Sequence, residues 1–560
     1  MKTRLLPILF LLPLASCQAI SLPGITSQSS DSSSTSSSLS TSSLESSDST
    51  SSSETSPSSS ETSTSESSIS TETSTSSASS DASASSSTSE SSSSSEEIWK
   101  APSEEFLALF NPTSSISMRL VFSQESIYAL SELGANDQKY RDAYFPADFE
   151  LTLNGEYYSF PDVGVRMKGN TSRRAIVSES GDFYGLCHLK INFGATFDSD
   201  MYNDEVLSPF KREWEKAPRK ERKDRNLFGL KKLDLKYVPR NQYPAEDHCV
   251  IREIYAFDAF RYQGLPAPYA NLASLEIDNG VSSTGGRMEI IEPIDKQFLA
   301  RRFSKEESQG DLYKCVYNGM GKADFDPQGA VDYSKDGNNV SSGIRKAKGK
   351  IGVEDNYVYY APCYQLKTND DEGEGSDFSK MADFILGMRN LVKGGWGNDI
   401  SHLYALLDVD EFVRYAAVSY LLANFDDTRY NYNNYYVYFL PSNGKAIFIP
   451  YDFDWCLGLD CGYSDVNATA PFDEWTLDGN RPSNPYFATI LYGDKDGHIT
   501  YDKTPMQEAY LNDIDQAIDD GVLVPSNFVS LSELLQNGSE EIGPVTSYMN
   551  QKRAAAQEGR

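Results

Sequence analysis

The chain has 560 residues, with 81 acidic and 50 basic side chains and a formal net charge of −31. Such an acidic chain repels the phosphate backbone, so nucleic acid is excluded as an expected partner. Only four histidines are present and the cysteines lack paired short spacings, so neither a zinc site nor a histidine-based triad is expected.

Residues 1–16 have the features of an export signal. Lys2 and Arg4 precede an apolar run, Leu5 to Leu14, that is too short to span a bilayer. The run ends in Leu-Ala-Ser-Cys, which resembles a bacterial lipobox and implies cleavage before Cys17 and a lipid on its thiol. We expect a protein anchored by lipid to the outer face of the cell membrane. The alternative is an ordinary signal peptide with an incidental cysteine.

Residues 17–97 are almost entirely Ser and Thr, with scattered acids and no Lys or Arg before Lys100. This composition cannot bury enough apolar surface to fold, so it predicts a disordered stalk between membrane and domain. The stalk could act only as a spacer, or its hydroxyls could accept sugar or phosphate.

Residues 98–560 are rich in Tyr, Phe and alternating segments and can bury a substantial core, as one large domain or two tightly packed ones. Export permits disulfides, and Cys456 is close enough to Cys461 to form a local pair. A buried thiol fits each cysteine equally well. The pairing stays open for the six cysteines after the export signal: Cys187, Cys249, Cys315, Cys363, Cys456 and Cys461.

A strand predicted over residues 163–167 ends in the turn Gly-Asn-Thr-Ser-Arg-Arg. Its hydrogen-bonding side chains and arginines could cradle a phosphate, although a Gly-Asn turn can also be only a turn. The residues concerned are Asn170, Thr171, Ser172 and Arg173. The next strand, 188–193, carries Lys190 among apolar neighbours, where an ammonium group needs an anionic partner unless it lies on an exposed face.

Two helices are predicted beside the polar residues of interest. Asp247 can cap a helix from His248 to Tyr262, and Glu253 lies next to its apolar face. A second helix begins at Asp408, where Glu411 three residues later completes a capping box.

A polar loop, 424–434, follows the second helix, and two alternating segments, 435–440 and 446–450, are joined by Pro-Ser-Asn-Gly. This pattern predicts a β-hairpin whose ends bring two groups of carboxylates together. Carboxylate and amide oxygens of this kind suit Mg²⁺ or Mn²⁺, although loop Asp and Asn also simply cap turns. The candidate residues are Asp426, Asn431, Asn434, Asp452 and Asp454.

Seven segments occur in this order along the chain: VRMKGNTSRR, HLKINF, IREIYAFDAFRYQGLPAP, EIIEPIDKQFLARRF, LYK, NYYVY and IPYDFDWCLG. In these segments the chain resembles the CotH family, the spore-coat protein H-like kinases, over about residues 163–458. The resemblance implies an α+β, divergent two-lobed protein-kinase-like fold. Its N-lobe would be β-rich, and its helical C-lobe would contain the metal-binding hairpin.

The resemblance also implies roles in phosphoryl transfer from ATP. Lys190 would contact the phosphates and Glu253 would hold that lysine. Asp426 would be the base that faces the acceptor hydroxyl, and Asp452, with Asp454, would hold Mg²⁺ or Mn²⁺.

Two assignments follow the family less directly. The metal-binding asparagine is Asn434 if it directly precedes the aromatic strand, as in the family, and Asn431 if it keeps the five-residue spacing of a kinase. The turn at 169–174 would take the place of the glycine-rich loop and bind nucleotide through its side chains.

The expected function is metal-dependent, ATP-dependent phosphorylation of Ser or Thr in a surface or coat protein. The Ser/Thr-rich stalk of this or a neighbouring chain is a candidate substrate. The alternatives are a non-catalytic surface adhesin or structural lipoprotein with a kinase-like fold, and carbohydrate chemistry by paired Asp residues. The oligomeric state stays open.

Overall fold

The computed structural model describes residues 98–169, 173–237, 251–316, 323–325, 363–369, 379–394, 401–459, 468–469, 485–492, 505–535 and 542–558. These parts all belong to one compact unit. The predicted export signal, Cys17 and the predicted stalk lie outside the described residues. So do turn residues 170–172 and the predicted helix start at 248–250.

The described secondary structure mixes strands and helices along the whole chain. The strands are β1 (Ile116–Val121), β2 (Phe145–Leu153), β3 (Glu156–Met167), β4 (Leu189–Asn192), β5 (Lys232–Tyr237), β6 (Ala270–Asp278), β7 (Ser283–Ile291), β8 (Leu312–Cys315), β9 (Tyr364–Leu366), β10 (Tyr435–Phe439) and β11 (Ala446–Pro450). The helices are α1 (Glu104–Leu109), α2 (Gln124–Asn136), α3 (Lys216–Asp224), α4 (Arg252–Tyr262), α5 (Lys296–Ala300), α6 (Ser379–Gly394), α7 (Ser401–Leu406), α8 (Val409–Leu422), α9 (Pro485–Tyr492), α10 (Pro505–Asp519), α11 (Pro525–Leu534) and α12 (Ile542–Gln557).

Seven strands close into a barrel in the order β1-β2-β3-β4-β5-β7-β6. The seam is the parallel pairing of β1 with β6, whereas the other neighbours are antiparallel. Strand β2 shows the reason for the fold, because buried and more exposed residues alternate along its length. Its apolar side chains therefore fill the barrel and its polar ones face outward.

A second sheet has the order β11-β10-β8-β9 and carries the predicted hairpin. Tyr435 of β10 pairs with Pro450 of β11, and Phe439 pairs with Ala446, so the hairpin prediction is confirmed. Helices α4, α8, α9 and α10 share one apolar core with this sheet. The chain is therefore an α+β protein.

Helix α8 ends in front of the polar loop. Asp408 caps it by accepting the amide N–H of Glu411 at 3.2 Å, as predicted. The second half of the predicted capping box is wrong, because the Glu411 carboxylate accepts the amide N–H of Phe448 at 3.2 Å instead. Strand β11 passes beside the helix start and offers this donor. Ala423 ends the helix in the left-handed conformation, with φ 48°.

The described cysteines are buried. Cys187, Cys315 and Cys363 are thiols. The Cys456 thiol donates to the carbonyl oxygen of Arg252 at 3.5 Å, while Cys249 and Cys461 lie outside the described residues. In the described part of the chain, every helix is too short or too polar to cross a bilayer.

Candidate active site

The open end of the hairpin brings together the two predicted groups of polar residues. Tyr451 donates its amide N–H to the carbonyl oxygen of Asn434 at 3.2 Å, so Asn434 and Asp452 leave the two strands side by side. Asn424 also donates its side-chain amide to the Asp452 carbonyl oxygen at 3.2 Å. Both Asn434 and Asp452 have a φ of 56°, a conformation that Asn and Asp adopt more readily than most residues.

Asp426 is buried and is held by a ring of amide donors. Its Oδ1 accepts the Asn431 Nδ2–H at 2.5 Å, and its Oδ2 accepts Nδ2–H groups from Asn433 at 3.1 Å and Asn434 at 2.8 Å. Burial raises the pKa of Asp426 to about 7; the amide donors oppose this rise and the nearby Asp452 carboxylate adds to it. A carboxylate with this pKa is suited to accept a proton near neutral pH.

Lys236 of β5 is the cation at the centre of the site. Its Nζ donates to Glu253 of α4 and to Asp452, and it lies 3.8 Å from an Asp454 oxygen. Burial alone lowers the pKa of Lys236, but these carboxylates outweigh it and hold the pKa well above its usual value. The lysine therefore stays charged and joins the barrel, the helix and the hairpin end.

Glu253 connects this lysine to the hairpin as well. Its other carboxylate oxygen accepts the amide N–H of Phe453 at 3.2 Å, in the middle of the Asp-Phe-Asp segment. Burial raises the pKa of Glu253, and Lys236 opposes that rise. Because both oxygens are engaged, the helix fixes the position of Lys236 and of the segment that carries Asp452.

Glu289 of β7 adds a further buried carboxyl group. It lies directly opposite Lys236 on the neighbouring strand of the barrel. Burial, together with the charges of Glu253 and Asp454, raises the pKa of Glu289 well above its usual value. The neutral form is therefore favoured, which limits the repulsion among the four acidic side chains around one lysine.

The predicted contact between Lys190 and Glu253 is wrong. Lys190 of β4 stands opposite Asp234 of β5 and forms an ion pair with it at 2.9 Å. Lys236 lies two residues after Asp234 on β5, on the same face of that strand. Lys236 is the lysine that contacts Glu253 of α4. Lys236 stands in the alternating segment Leu-Asp-Leu-Lys, a context like that of Lys190, so the sequence signal made both lysines candidates.

The predicted phosphate turn is only partly described. Arg173 donates its Nε–H to the carbonyl oxygen of Gly169 at 2.6 Å and its Nη1–H to those of Arg141 at 3.0 Å and Gly134 at 3.2 Å. Burial lowers its pKa to about 9. The described hydrogen bonds of Arg173 therefore go to backbone carbonyl oxygens, while Asn170, Thr171 and Ser172 lie outside the described residues.

The donor set fits a hard divalent cation that keeps part of its own hydration. Within the described ranges, no three His, Cys, Asp or Glu side chains are grouped to enclose a metal ion. Mg²⁺ usually binds through one or two carboxylates together with water and substrate phosphates, so a closed protein cage is not required. The residues that could supply oxygens are Asp452, Asp454, Asn434 and Asn431. Because the Asn434 Nδ2 faces Asp426, its Oδ1 is the atom that could turn to a cation.

Comparison with known proteins identifies a family and shows a weak likeness to a solved structure. The model of the family described as "CotH kinase protein" matches residues 207–496. This range contains Lys236, Glu253, Asp426 and Asp452, whereas Lys190 precedes it. No curated protein matches the chain.

Among solved structures, the chain is similar to a complex from Shewanella oneidensis MR-1, the toxin–antitoxin system of HipA, HipB and operator DNA. The identity is 12% and the TM-score is 0.25. The match covers 58% of this chain and 57% of that one, so this chain spans little more than half of its length.

Proposed function

The chain belongs to the CotH kinase protein family, and from that premise we propose that it transfers the terminal phosphoryl group of ATP to a Ser or Thr hydroxyl. The acceptor would belong to a surface or coat protein. Phosphoryl transfer depends mainly on positioning and on neutralising charge, and buried, prearranged ionic side chains suit that task.

The observation that carries this proposal is the joint contact of Lys236 with Glu253 and Asp452. A lysine held by a helix glutamate, beside an aspartate that follows a hairpin, is the arrangement that protein kinases use for the phosphates and the metal ion. Here Asp452 also acts electrostatically on Asp426, which we propose as the base. The lysine proposed to contact the phosphates is therefore Lys236 instead of Lys190.

Asp426 would act on the acceptor hydroxyl. The oxygen of the acceptor hydroxyl would form a bond to the terminal phosphorus. The bond between that phosphorus and the bridging oxygen would break, and the electron pair of the broken bond would leave on ADP. The hydroxyl proton goes to the Asp426 carboxylate, whose three asparagine donors fix its orientation.

Asp452 and Asn434 would hold Mg²⁺ or Mn²⁺, with Asp454 and Asn431 as further candidates. The cation, when bound, would supply charge neutralisation at the phosphates. Lys236 keeps Asp452 in place before a nucleotide arrives, and Glu253 keeps Lys236 in place, so the chain orders this site in advance.

We propose that the chain acts at the outer face of the cell membrane, anchored through lipid on Cys17. Its own Ser/Thr-rich segment, 17–97, is the proposed acceptor, because that segment offers many hydroxyls in an acidic sequence whose composition predicts disorder. No structural feature of the described residues favours the non-catalytic adhesin over this activity.

The test is incubation of the full chain with ATP labelled at the terminal phosphate and Mn²⁺ or Mg²⁺. Phosphorylated residues are then located by mass spectrometry. Asp426→Asn should lower incorporation by about 10²–10⁴-fold, the usual contribution of a positioned base. Asp519→Asn, an exposed aspartate on α10, is the matched control and should keep wild-type activity. Equal incorporation by Asp426→Asn and wild type would overturn the assignment. A folded wild type without any incorporation would favour the adhesin.

A further inference from the structure

Two lysines lie against the ring of Tyr451, and none of the roles above uses them. Lys314 of β8 places its Nζ 4.2 Å from the centroid of the Tyr451 ring. Lys168, which follows β3 of the barrel, places its Nζ 5.3 Å from the same centroid. The barrel and the second sheet thus each direct one lysine to the ring that directly precedes Asp452.

The two lysines differ in how closely carboxylates approach them. Lys168 and Lys190 share one carboxylate, Asp234, at 3.0 and 2.9 Å. Lys314 has no carboxylate within ion-pair distance in the described part of the chain, where its ammonium group contacts the face of the ring. A cation–π contact of this kind compensates for a lost carboxylate only in part.

The electrostatics agree with this geometry. Burial, together with repulsion from Lys168 and Lys367, lowers the pKa of Lys314 to about 7, and Asp452 opposes the shift. A half-buried ammonium group with repelling neighbours is stabilised when an anion binds beside it.

We propose that Lys314 and Lys168 form a phosphate-binding pair that positions the phosphates of the nucleoside triphosphate. The inference rests on the proposed function and names two further residues for its site. A nucleotide is the favoured source of the phosphate because Asp452, the proposed cation ligand, directly follows the ring on which the pair converges. Lys314 is a positioning residue in this scheme, and Asp426 remains the base.

The pair is tested by binding to the full chain, measured by titration calorimetry in the presence of Mn²⁺. The probes are ATP, inorganic tripolyphosphate, adenosine and a phosphoserine peptide. Lys314→Met keeps most of the side chain's apolar length and removes its charge. It should weaken ATP and tripolyphosphate binding by about tenfold or more, the usual value of a hydrogen bond to a charged group. Adenosine binding should be unchanged, and Lys314→Arg should restore most of the affinity.

The control is Lys305→Met, an exposed lysine nine residues earlier, which should bind every probe as the wild type does. Unchanged ATP and tripolyphosphate affinities in Lys314→Met would overturn the proposal, as would loss of phosphoserine peptide binding alone. Absence of tripolyphosphate binding by the wild type would also overturn it. Intact binding without phosphoryl transfer in the wild type would instead refute the proposed function and leave the phosphate-binding pair standing.

Discussion

Lys236 and Glu253 form an ion pair inside the protein, with side chains that are 2% and 0% exposed. Such a pair costs desolvation and is seldom retained for stability alone, yet removal of one partner leaves a buried charge and costs about 3–5 kcal/mol. Here the lysine also holds Asp452. Variants that keep the charge are therefore the informative ones, since they separate a role in the reaction from a role in folding.

Exchange of each candidate lysine for arginine distinguishes the two lysines. Arginine keeps the charge but presents a planar fork in place of a compact ammonium group. Lys236→Arg should lower phosphoryl transfer by about 10²-fold, the scale of a lost electrostatic contact in an active site. Lys190→Arg should stay near the wild-type rate, because it can still pair with Asp234. Initial rates with labelled ATP measure both, and the reverse order would return the role to Lys190.

The rate should depend on pH through Asp426. Its pKa is raised to about 7, and only the deprotonated carboxylate can accept the hydroxyl proton. Transfer should therefore fall as the pH drops below about 7 and level off above it. Rates of phosphoryl transfer between pH 5.5 and 8.5 at saturating ATP measure this pH dependence. A rate independent of pH across that range would contradict the assignment of the base.

Glu411→Gln should stabilise the fold at alkaline pH. Burial raises the pKa of Glu411 well above its usual value, so the folded state binds this proton more tightly than the unfolded state. Stability from Glu411 is thus complete below the unfolded pKa and is lost as the pH rises through the folded pKa. Glutamine is neutral and can still accept the Phe448 N–H, so we expect a gain of about 1 kcal/mol at pH 8.

Urea unfolding at pH 5 and pH 8 measures the effect, with Glu508→Gln, an exposed residue of α10, as the control. The gain should shrink at pH 5. A loss of stability at both pH values would show that Glu411 is needed as a charged group.

Deletion of residues 18–97 tests the proposed acceptor segment. The shortened chain should lose self-phosphorylation but keep its melting temperature, because that segment is not expected to contribute to the core. Addition of a synthetic peptide from the segment should restore incorporation, now into the peptide. Undiminished phosphorylation within residues 98–560 would place the acceptor elsewhere.

The elements that local signals specify were predictable from the sequence. Asp408 starts α8 and a four-residue turn closes the β10–β11 hairpin, and both are found where the pattern places them. The meeting of Asp426 and Asp452 followed from the hairpin alone, because the ends of a hairpin lie together.

The lysine that pairs with Glu253 could not be predicted from local sequence signals. Lys190 and Lys236 both lie in short alternating strands, and only the register of β4 against β5 assigns Asp234 to one and Glu253 to the other. Register depends on the closed barrel as a whole. Glu411 illustrates the same limit. Its carboxylate accepts the N–H of Phe448, which is distant in sequence, instead of making the expected capping contact.

The most direct test of the central claim is a thermal-shift titration of the full chain with ATP and Mn²⁺. A ligand at 100 times its dissociation constant stabilises the folded state by about 2.7 kcal/mol, which is readily measured. The account predicts a metal-dependent shift in the wild type and in Asp519→Asn that disappears in Asp452→Asn. An equal shift in Asp452→Asn, or no shift in a folded wild type at high ATP, would contradict it.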